Sequence, residues 1–284
     1  MKKYQPDFVF HLAAQALVYK SYKKPVDTIY TNTIGTMNVL ESLKQIKKKF
    51  AAVIITSDKS YKNLEIKRGY HENDLLGGKD PYSASKGAAE IIIQSYINSY
   101  FFKNKKQNIA IARAGNVIGG GDWSEDRLIP DCVRSWSLNK KAIIRNPNST
   151  RPWQHVLEAL RGYLTLASNL YLDHKLHGEP FNFGPKNSQN KSVINLVKLM
   201  KKYWIKVSWK VKKDNKKLYE SKLLKLDSTK ARKKLKWEPI LNFEETVQMT
   251  STWYKNFYTN KKSNIFKFSE RQIKDYIKKY NKSY

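Results

Sequence analysis

A single cysteine, Cys132, stands in the 284-residue chain, which excludes an intramolecular disulfide and any cysteine-only metal cluster. It fits a reducing compartment and reads as a small buried hydrophobe. Long apolar runs are absent too. Nowhere do about 18 apolar residues follow one another, and the amino-terminal Met1-Lys2-Lys3-Tyr4-Gln5-Pro6-Asp7 carries charge without an apolar segment or a cleavage site. A cytoplasmic protein with no membrane partner is therefore expected. Acidic residues are scarce: 24 Asp and Glu stand against 54 Lys and Arg, a formal net charge of +30. In bulk that balance suits a nucleic-acid binder. The lysines, however, are scattered, from Lys47 to Lys49, Lys103 to Lys106, Lys201 and Lys202, Lys212 to Lys217 and Lys274 to Lys282. No helix-turn-helix, zinc-finger or RNA-binding aromatic signature accompanies them, so they read as solvated faces and no nucleic-acid partner is expected. A positive field would still attract anionic nucleotides.

What is present is enough apolar residue, 40% of the chain, to bury the core of one large or two unequal domains. Asp7-Phe8-Val9-Phe10-His11-Leu12-Ala13-Ala14 is a short apolar run ending in small residues, as a buried parallel strand does when it brings backbone to a ligand. A helical pattern follows from Thr31 to Lys48, with Asn32, Gly35 and the apolar series Met37, Leu40, Leu43 and Ile46. Ala51 to Ile55 form a second buried strand, with Thr56-Ser57-Asp58-Lys59 at its end. A helix beginning near Tyr82 runs to about Phe101, and a third strand, Ile109 to Arg113, opens into Gly115-Asn116-Val117-Ile118-Gly119-Gly120-Gly121-Asp122-Trp123. Strands alternating with helices predict right-handed crossovers and an α/β doubly wound parallel sheet, whose sites lie beyond the carboxyl ends of the strands. Further on, Leu196 to Tyr219 reads as a helix followed by a lysine-rich strand or loop, Trp237 to Pro239 as a turn, Phe243 to Tyr254 as a packing helix, and the last twenty or so residues as an amphipathic tail helix.

The candidate chemistry centres on Asp80-Pro81-Tyr82-Ser83-Ala84-Ser85-Lys86. Positions i and i+4 share a helix face. A lysine ammonium beside a phenol favours the phenolate, so Tyr82 becomes able to exchange a proton with an alcohol near neutral pH, with Lys86 assisting.

With His11-Leu12-Ala13-Ala14-Gln15, Asn32 to Gly35-Thr36, Thr56-Ser57-Asp58-Lys59, and the stretch from Arg113 to Trp123, this pattern resembles the extended short-chain dehydrogenases that act on nucleotide sugars. Asp58-Lys59, Gly121-Asp122-Trp123, Asp126 to Asp131 and Arg151-Pro152-Trp153-Gln154-His155-Val156-Leu157-Glu158 bring it nearest to the CDP-glucose 4,6-dehydratases of that family. The resemblance runs on through Asn182 to Pro185 and Leu226-Asp227 to Trp237-Glu238-Pro239. It implies a nicotinamide dinucleotide, NAD, a CDP-glucose substrate, a homodimer and no metal. Tyr82 and Lys86 would take the sugar 4-OH proton as hydride leaves C4, Thr56 would hydrogen-bond the same oxygen, Asp58 would protonate the departing 6-OH, and Lys59 would be the C5 base. Leu12, Ala13, Ala14, Asn32, Thr56, Tyr82, Lys86 and Arg113 would line the cofactor. Gln15, Asn116, Asp122, Trp123, Arg127, Arg145 and Arg151 would contact substrate, the arginines matching pyrophosphate oxygens.

Residues 1–118 are accordingly expected to form a partial NAD-binding domain and residues 119–284 mainly a smaller substrate domain, with some segments returning to the first. The glycine turn and ribose-binding acid with which such a fold opens do not occur before Asp7. The chain is therefore read as starting near the fourth strand, roughly 70 residues on, with half of the cofactor site lacking and sheet edge exposed. Two other readings stay open: an NAD-dependent nucleotide-sugar epimerase, sharing Tyr82 and Lys86 without use for Asp58, and a silent fragment or basic nucleic-acid-binding protein.

Overall fold

The computed structural model describes residues 1–186, 190–204, 206–212, 223–260 and 264–283. The chain forms two compact units, one of Met1–Gly115, Arg161–Phe183 and Leu224–Glu238, the other of Asn116–Leu160, Gly184–Leu223 and Pro239–Tyr284.

In the first unit, β1 (Phe8–His11) is followed by α1 (Val18–Lys23), α2 (Pro25–Ile29), a π-helical turn (Tyr30–Ile34) and α3 (Gly35–Leu43). The helix expected from Thr31 thus begins earlier. Pro25 opens it, since a first-turn proline needs no hydrogen-bond donor and holds a helical φ, and the helix stops at Leu43, short of Lys48. Then come β2 (Phe50–Ile55), α4 (Pro81–Tyr96) continued by a π-helical turn (Ile97–Phe101), and β3 (Gln107–Ala114). The second unit contributes β4 (Val117–Ile118), α5 (Leu128–Ser137), β5 (Ala142–Ile144), β6 (Thr150–Pro152) and β7 (Gln154–His155). After α6 (Val156–Leu172) the chain makes β8 (Pro180–Phe183), β9 (Asn190–Ser192), α7 (Val193–Met200) and β10 (Trp209–Val211). The helices α8 (Thr229–Leu235), α9 (Phe243–Thr259) and α10 (Ile265–Lys282) complete it. Residues 213–219 of the expected lysine-rich segment lie outside the described residues.

The main sheet is wholly parallel, in the order β1-β2-β3-β8. Its rows alternate as strand geometry requires. Val9, Ala52 and Ile109 form one row and His11, Ile54 and Ile111 another. With Phe50 these apolar side chains pack under Leu40, Leu43 and Ile46 of the α3 region and Ile93, Ile97 and Phe101 of α4. On the other surface Phe8 lies 5.0 Å from Tyr171, Asn108 donates to the carbonyl of Leu170, and Phe183 meets Tyr163 and Trp237 edge-on. Helices therefore cover both surfaces, with the later part of α6 and α8 on the second. Strand β8 is the one strand of the main sheet that the sequence pattern did not reveal, and the helices α5, α6 and α8 were not read either. Four residues beginning with Pro180 carry no periodicity, and the strand exists because it pairs with β3.

The second unit is built on its own core. Ile129, Cys132, Val133 and Trp136 of α5, Leu196, Val197 and Met200 of α7, and Val247 and Tyr254 of α9 close around Ala142, Ile144 and Trp153. Cys132 is buried there, and burial pushes its thiol far above the usual range. Glu158, fully buried, accepts the backbone N–H groups of Ile240 and Leu241 and the Tyr276 hydroxyl, which ties α6 to the turn before α9 and to α10.

Candidate active site

Three segments leave the carboxyl ends of β1, β2 and β3, and α4 begins beside them. Asp80 caps that helix, accepting from the Ser83 N–H at 3.0 Å and the Ser83 hydroxyl at 2.5 Å, with Pro81 at the first position. The preceding loop closes tightly on the first turn: a Cβ on Gly78 would lie 2.2 Å from the Ala84 nitrogen, so only glycine fits. Tyr82, Lys86 and Glu90 follow at i, i+4 and i+8, all buried.

Lys86 is held almost out of water. Burial lowers its pKa to about 8, opposed by the charge of Glu90. Its ammonium donates to the Ile55 carbonyl at 3.5 Å, the outer limit of a hydrogen bond, which leaves donors for hydroxyls of a ligand. The Tyr82 side chain is buried as well, and its N–H donates to Ser21 Oγ.

Asn32 staples the loop after β1 to this helix. Its amide donates to Ser85 Oγ at 2.9 Å and to the Gln15 carbonyl at 3.0 Å, and its oxygen accepts the Gln15 N–H at 2.8 Å. The residue sits in the π-helical turn, a feature that often marks functional sites. The carbonyl of Asn32 accepts from Thr36, whose hydroxyl is 3.1 Å from His11 Nε2. Burial, with a smaller contribution from the Lys86 charge, lowers the His11 pKa. Leu12 and Ala13, just beyond β1, leave exposed the short stretch expected to meet a cofactor.

The β2 end carries the acid candidate. Ser57 caps a short turn, and its hydroxyl donates to Asp58 Oδ1 at 3.0 Å. The Lys59 ammonium lies 3.5 Å from the same oxygen. Asp58 is 2% exposed, and its other oxygen, Oδ2, has no hydrogen-bond partner among the described residues. An orphaned buried carboxylate oxygen is costly unless a ligand completes it. Tyr163 of α6, which sequence reasoning missed, is buried close enough to Tyr82 and Asp58 that, after burial itself, their charges raise its pKa. The side chain belongs to an ordinary apolar helix pattern, so no local signal marked it.

Two expected contacts are engaged elsewhere. Arg113, expected on the cofactor, is 3% exposed and forms an ion pair with Glu90, donates to the Tyr61 hydroxyl at 2.6 Å and to the Glu72 carbonyl at 3.0 Å, and lies over the Tyr61 ring. A guanidinium in the middle of a sheet must be neutralised inside the fold, and Glu90 does so. Gln15, expected on substrate, has its amide engaged locally: it donates to Thr28 and the Leu17 carbonyl and accepts the Leu17 N–H. Thr56 gives its hydroxyl hydrogen to Glu90 Oε1 at 2.6 Å. Glu90 was also missed, although its i+8 spacing from Tyr82 and the arginine in the apolar strand β3 were both legible.

In the second unit, Asn116 Oδ1 is buried and without a partner among the described residues. Asp122 accepts from the Ser124 N–H at 2.9 Å and pairs with Arg127 at 3.0 Å; these contacts outweigh burial and hold its pKa down. Arg145 reaches Asp126, and Arg151 is buried and donates to the Thr150 carbonyl. Trp123 packs against Trp253, Tyr254, Phe257 and Tyr258, and so belongs to an aromatic cluster within its own unit. Among the described residues no three potential metal ligands are grouped, and no helix is long and apolar enough to cross a membrane.

The family model described as GDP-mannose 4,6 dehydratase matches residues 1–250. The chain belongs to this family. CDP-glucose 4,6-dehydratase of Salmonella typhimurium, a nucleotide-sugar enzyme, is 44% identical over 280 residues, which cover 97% of this chain and 77% of that one. Two solved structures share the fold of this dehydratase family member. That of dTDP-glucose 4,6-dehydratase from Bacillus anthracis in complex with NAD has a TM-score of 0.74 at 22% identity, covering 90% of this chain and 74% of that chain. That of UDP-glucuronic acid 4-epimerase from Bacillus cereus in complex with UDP-glucuronic acid and NAD has a TM-score of 0.77 at 22% identity, covering 89% and 76%.

Proposed function

We propose that this chain carries out the NAD-dependent dehydration of CDP-glucose to CDP-4-keto-6-deoxyglucose. The observation that carries the reading is Asp58, a buried carboxylate with one oxygen unpartnered among the described residues and a lysine at 3.5 Å, in the same unit as Tyr82 and Lys86. The 44% identity to a CDP-glucose 4,6-dehydratase over almost the whole chain supports the choice of sugar nucleotide.

The residues fit a dinucleotide. Lys86 is buried with donors to offer, and Leu12-Ala13-Ala14 lies at the end of β1, where such a group would be held, with Asn32 hydrogen-bonded to Gln15 just beyond it. When bound, NAD supplies the acceptor for the C4 hydride and gives it back at C6. The chain's own groups do the rest. Tyr82 takes the 4-OH proton, and the Lys86 cation, desolvated, stabilises the phenolate more than it could in water. Thr56, its hydrogen committed to Glu90, offers lone pairs to a sugar hydroxyl. Once C4 is a ketone the C5 hydrogen is acidic. One proton moved from the Lys59 ammonium to the Asp58 carboxylate across their contact leaves an acid and an amine base side by side. Asp58 then protonates the departing 6-OH while Lys59 removes the C5 proton, so that water leaves with the charges balanced, and Lys59 gives that proton back to C5 when hydride is added at C6. We assign the dinucleotide to the first unit; the remaining substrate candidates, Asn116, Asp122, Trp123, Arg127, Arg145 and Arg151, belong to the second.

An epimerase would need Tyr82 and Lys86 alone, and the orphaned Asp58 oxygen favours the dehydratase. The test is to give the purified chain NAD with CDP-glucose, dTDP-glucose or UDP-glucose and identify the product by mass and NMR. Loss of one water from CDP-glucose is expected, and recovery of a C4 epimer with no water lost would overturn the reading. A homodimer in the cytoplasm belongs to the same proposal. Val26, Ile29 and Tyr30 beside α4, and Ile91 on it, expose large apolar surface suited to a second copy. Sedimentation at a monomer mass across the micromolar range would argue against it.

A further inference from the structure

We infer that Glu90 is a positioning residue for this site: anchored by Arg113, it fixes the orientation of the Thr56 hydroxyl and supplies the negative charge one helical turn from Lys86. The inference rests on the dehydrogenase role given above to Tyr82 and Lys86.

The carboxylate is fully buried and joins three elements. It projects from α4, takes the Thr56 hydroxyl at the end of β2 at 2.6 Å, and receives Arg113 Nε from β3 at 2.9 Å on each oxygen. Arg113 is in turn held by the Tyr61 hydroxyl, which itself donates to Asn182 Oδ1 at 2.8 Å on β8. A helix free to rotate or slide on a sheet would carry Tyr82 and Lys86 with it. The Glu90 to Arg113 pair pins α4 in axial register against two strands, at a point one turn from the reactive lysine. A second consequence concerns hydrogen direction. An ionised carboxylate only accepts, so the Thr56 hydroxyl can only donate to it, and its lone pairs are what remains for a ligand.

A merely structural ion pair would do the first of these things and leave the chemistry of Lys86 alone. The charges acting on Lys86 show why this one does more. Tyr82 and Glu90 stand on its own helix, and its charge reaches His11 on β1; the other titratable groups of the neighbouring elements are Asp58 and Lys59 beyond β2, Arg113 on β3 with Tyr61 and Glu72 against it, and Tyr163 on α6. Of these, Glu90 is the carboxylate whose charge opposes the loss of the Lys86 proton caused by burial. Without it the ammonium would be lost at lower pH, and the phenolate of Tyr82 would lose its cation.

The experiment compares wild type with Glu90→Gln, which keeps the shape and an acceptor for Thr56 but removes the charge. Two readouts are taken: the pH profile of 4-keto product formation, and the titration of Lys86 by NMR of lysine labelled at the ε carbon, assigned with Lys86→Met. The expected result is a downward move of the alkaline limb, and of the Lys86 titration, by about one pH unit. Because Glu90→Gln leaves Arg113 buried without its partner, Glu90→Gln with Arg113→Gln is measured alongside. The proposal expects the paired variant to titrate above the single one, because a buried cation is removed as well, and still below wild type. Lys86 titrating at its wild-type pH in a folded variant of either kind would overturn it. If wild type turns over no nucleotide sugar, the activity reading fails, while the Lys86 titration still decides the role of Glu90.

Discussion

Replacing Lys86 by methionine should abolish activity and make the protein more stable. Burial brings this ammonium from 10.5 down to about 8, and its hydrogen bond to the Ile55 carbonyl is 3.5 Å long. At about 1.4 kcal/mol per pH unit, the gap amounts to about 3 kcal/mol of folded-state cost. The folded lysine releases its proton at lower pH than the unfolded one. The cost is therefore fully present below about pH 8, fades as pH rises towards 10.5 while only the unfolded chain keeps the proton, and is gone above that. Methionine is of similar length and adapts to irregular space, the long hydrogen bond contributes little, and Glu90 keeps Arg113 as its partner. The variant should gain about 2–3 kcal/mol at about pH 7, seen as a rise of several degrees in melting temperature. The assay is urea unfolding of both proteins at about pH 7, 9 and 10.5. A variant less stable than wild type at neutral pH, or a gain that does not change with pH, would refute the argument that desolvation of the ammonium dominates here.

Asp58→Asn should leave oxidation at C4 nearly intact and slow the loss of water by about 100-fold or more, so that reduced nicotinamide builds up transiently in absorbance; equal slowing of both steps would remove Asp58 from the role of acid. Gly120→Ala should destabilise the second unit by about 1–3 kcal/mol, because the new Cβ would lie 2.0 Å from Trp253 Cδ2 and that ring is held by Ser269 and stacked on Phe257. Thermal unfolding with tryptophan fluorescence reads this, and an unchanged melt would show that the ring yields freely. Glu158→Gln should cost about 1–3 kcal/mol, since an amide cannot accept from the two backbone N–H groups and the Tyr276 hydroxyl as the carboxylate does; denaturant unfolding over a pH series checks it.

Much of the first unit was legible in the sequence. The apolar runs at Phe8, Ala51 and Ile109 became β1, β2 and β3, in parallel, because fully buried strands leave a continuous apolar signature. The start of α4 was read near Tyr82 from the apolar pattern alone, and the structure shows Asp80 as its cap and Pro81 at its first position. Strand β8 was not, since its four residues have no pattern of their own. At the site, the spacing of Tyr82 and Lys86 was readable because a helix makes i and i+4 neighbours. Glu90 belonged to the same reading one turn later, and the arginine inside the apolar strand β3 was its counterpart, but either alone looks like a surface charge.

Local order determined the elements and the chemistry available at their ends: periodicity, caps and the strand-end residues Thr56, Asp58 and Lys59 act over a few positions and can be read in line. Which polar groups were left over for a ligand was decided only by tertiary structure. Gln15 and Arg113 are taken up within the fold, by Thr28 and Leu17 in one case and Glu90 in the other, whereas Asp58 keeps one buried oxygen unpartnered among the described residues. The reason is physical. A buried donor or acceptor must be satisfied wherever the chain can bring a partner, and here partners come from positions as distant as Tyr61 and Asn182, which no local pattern connects.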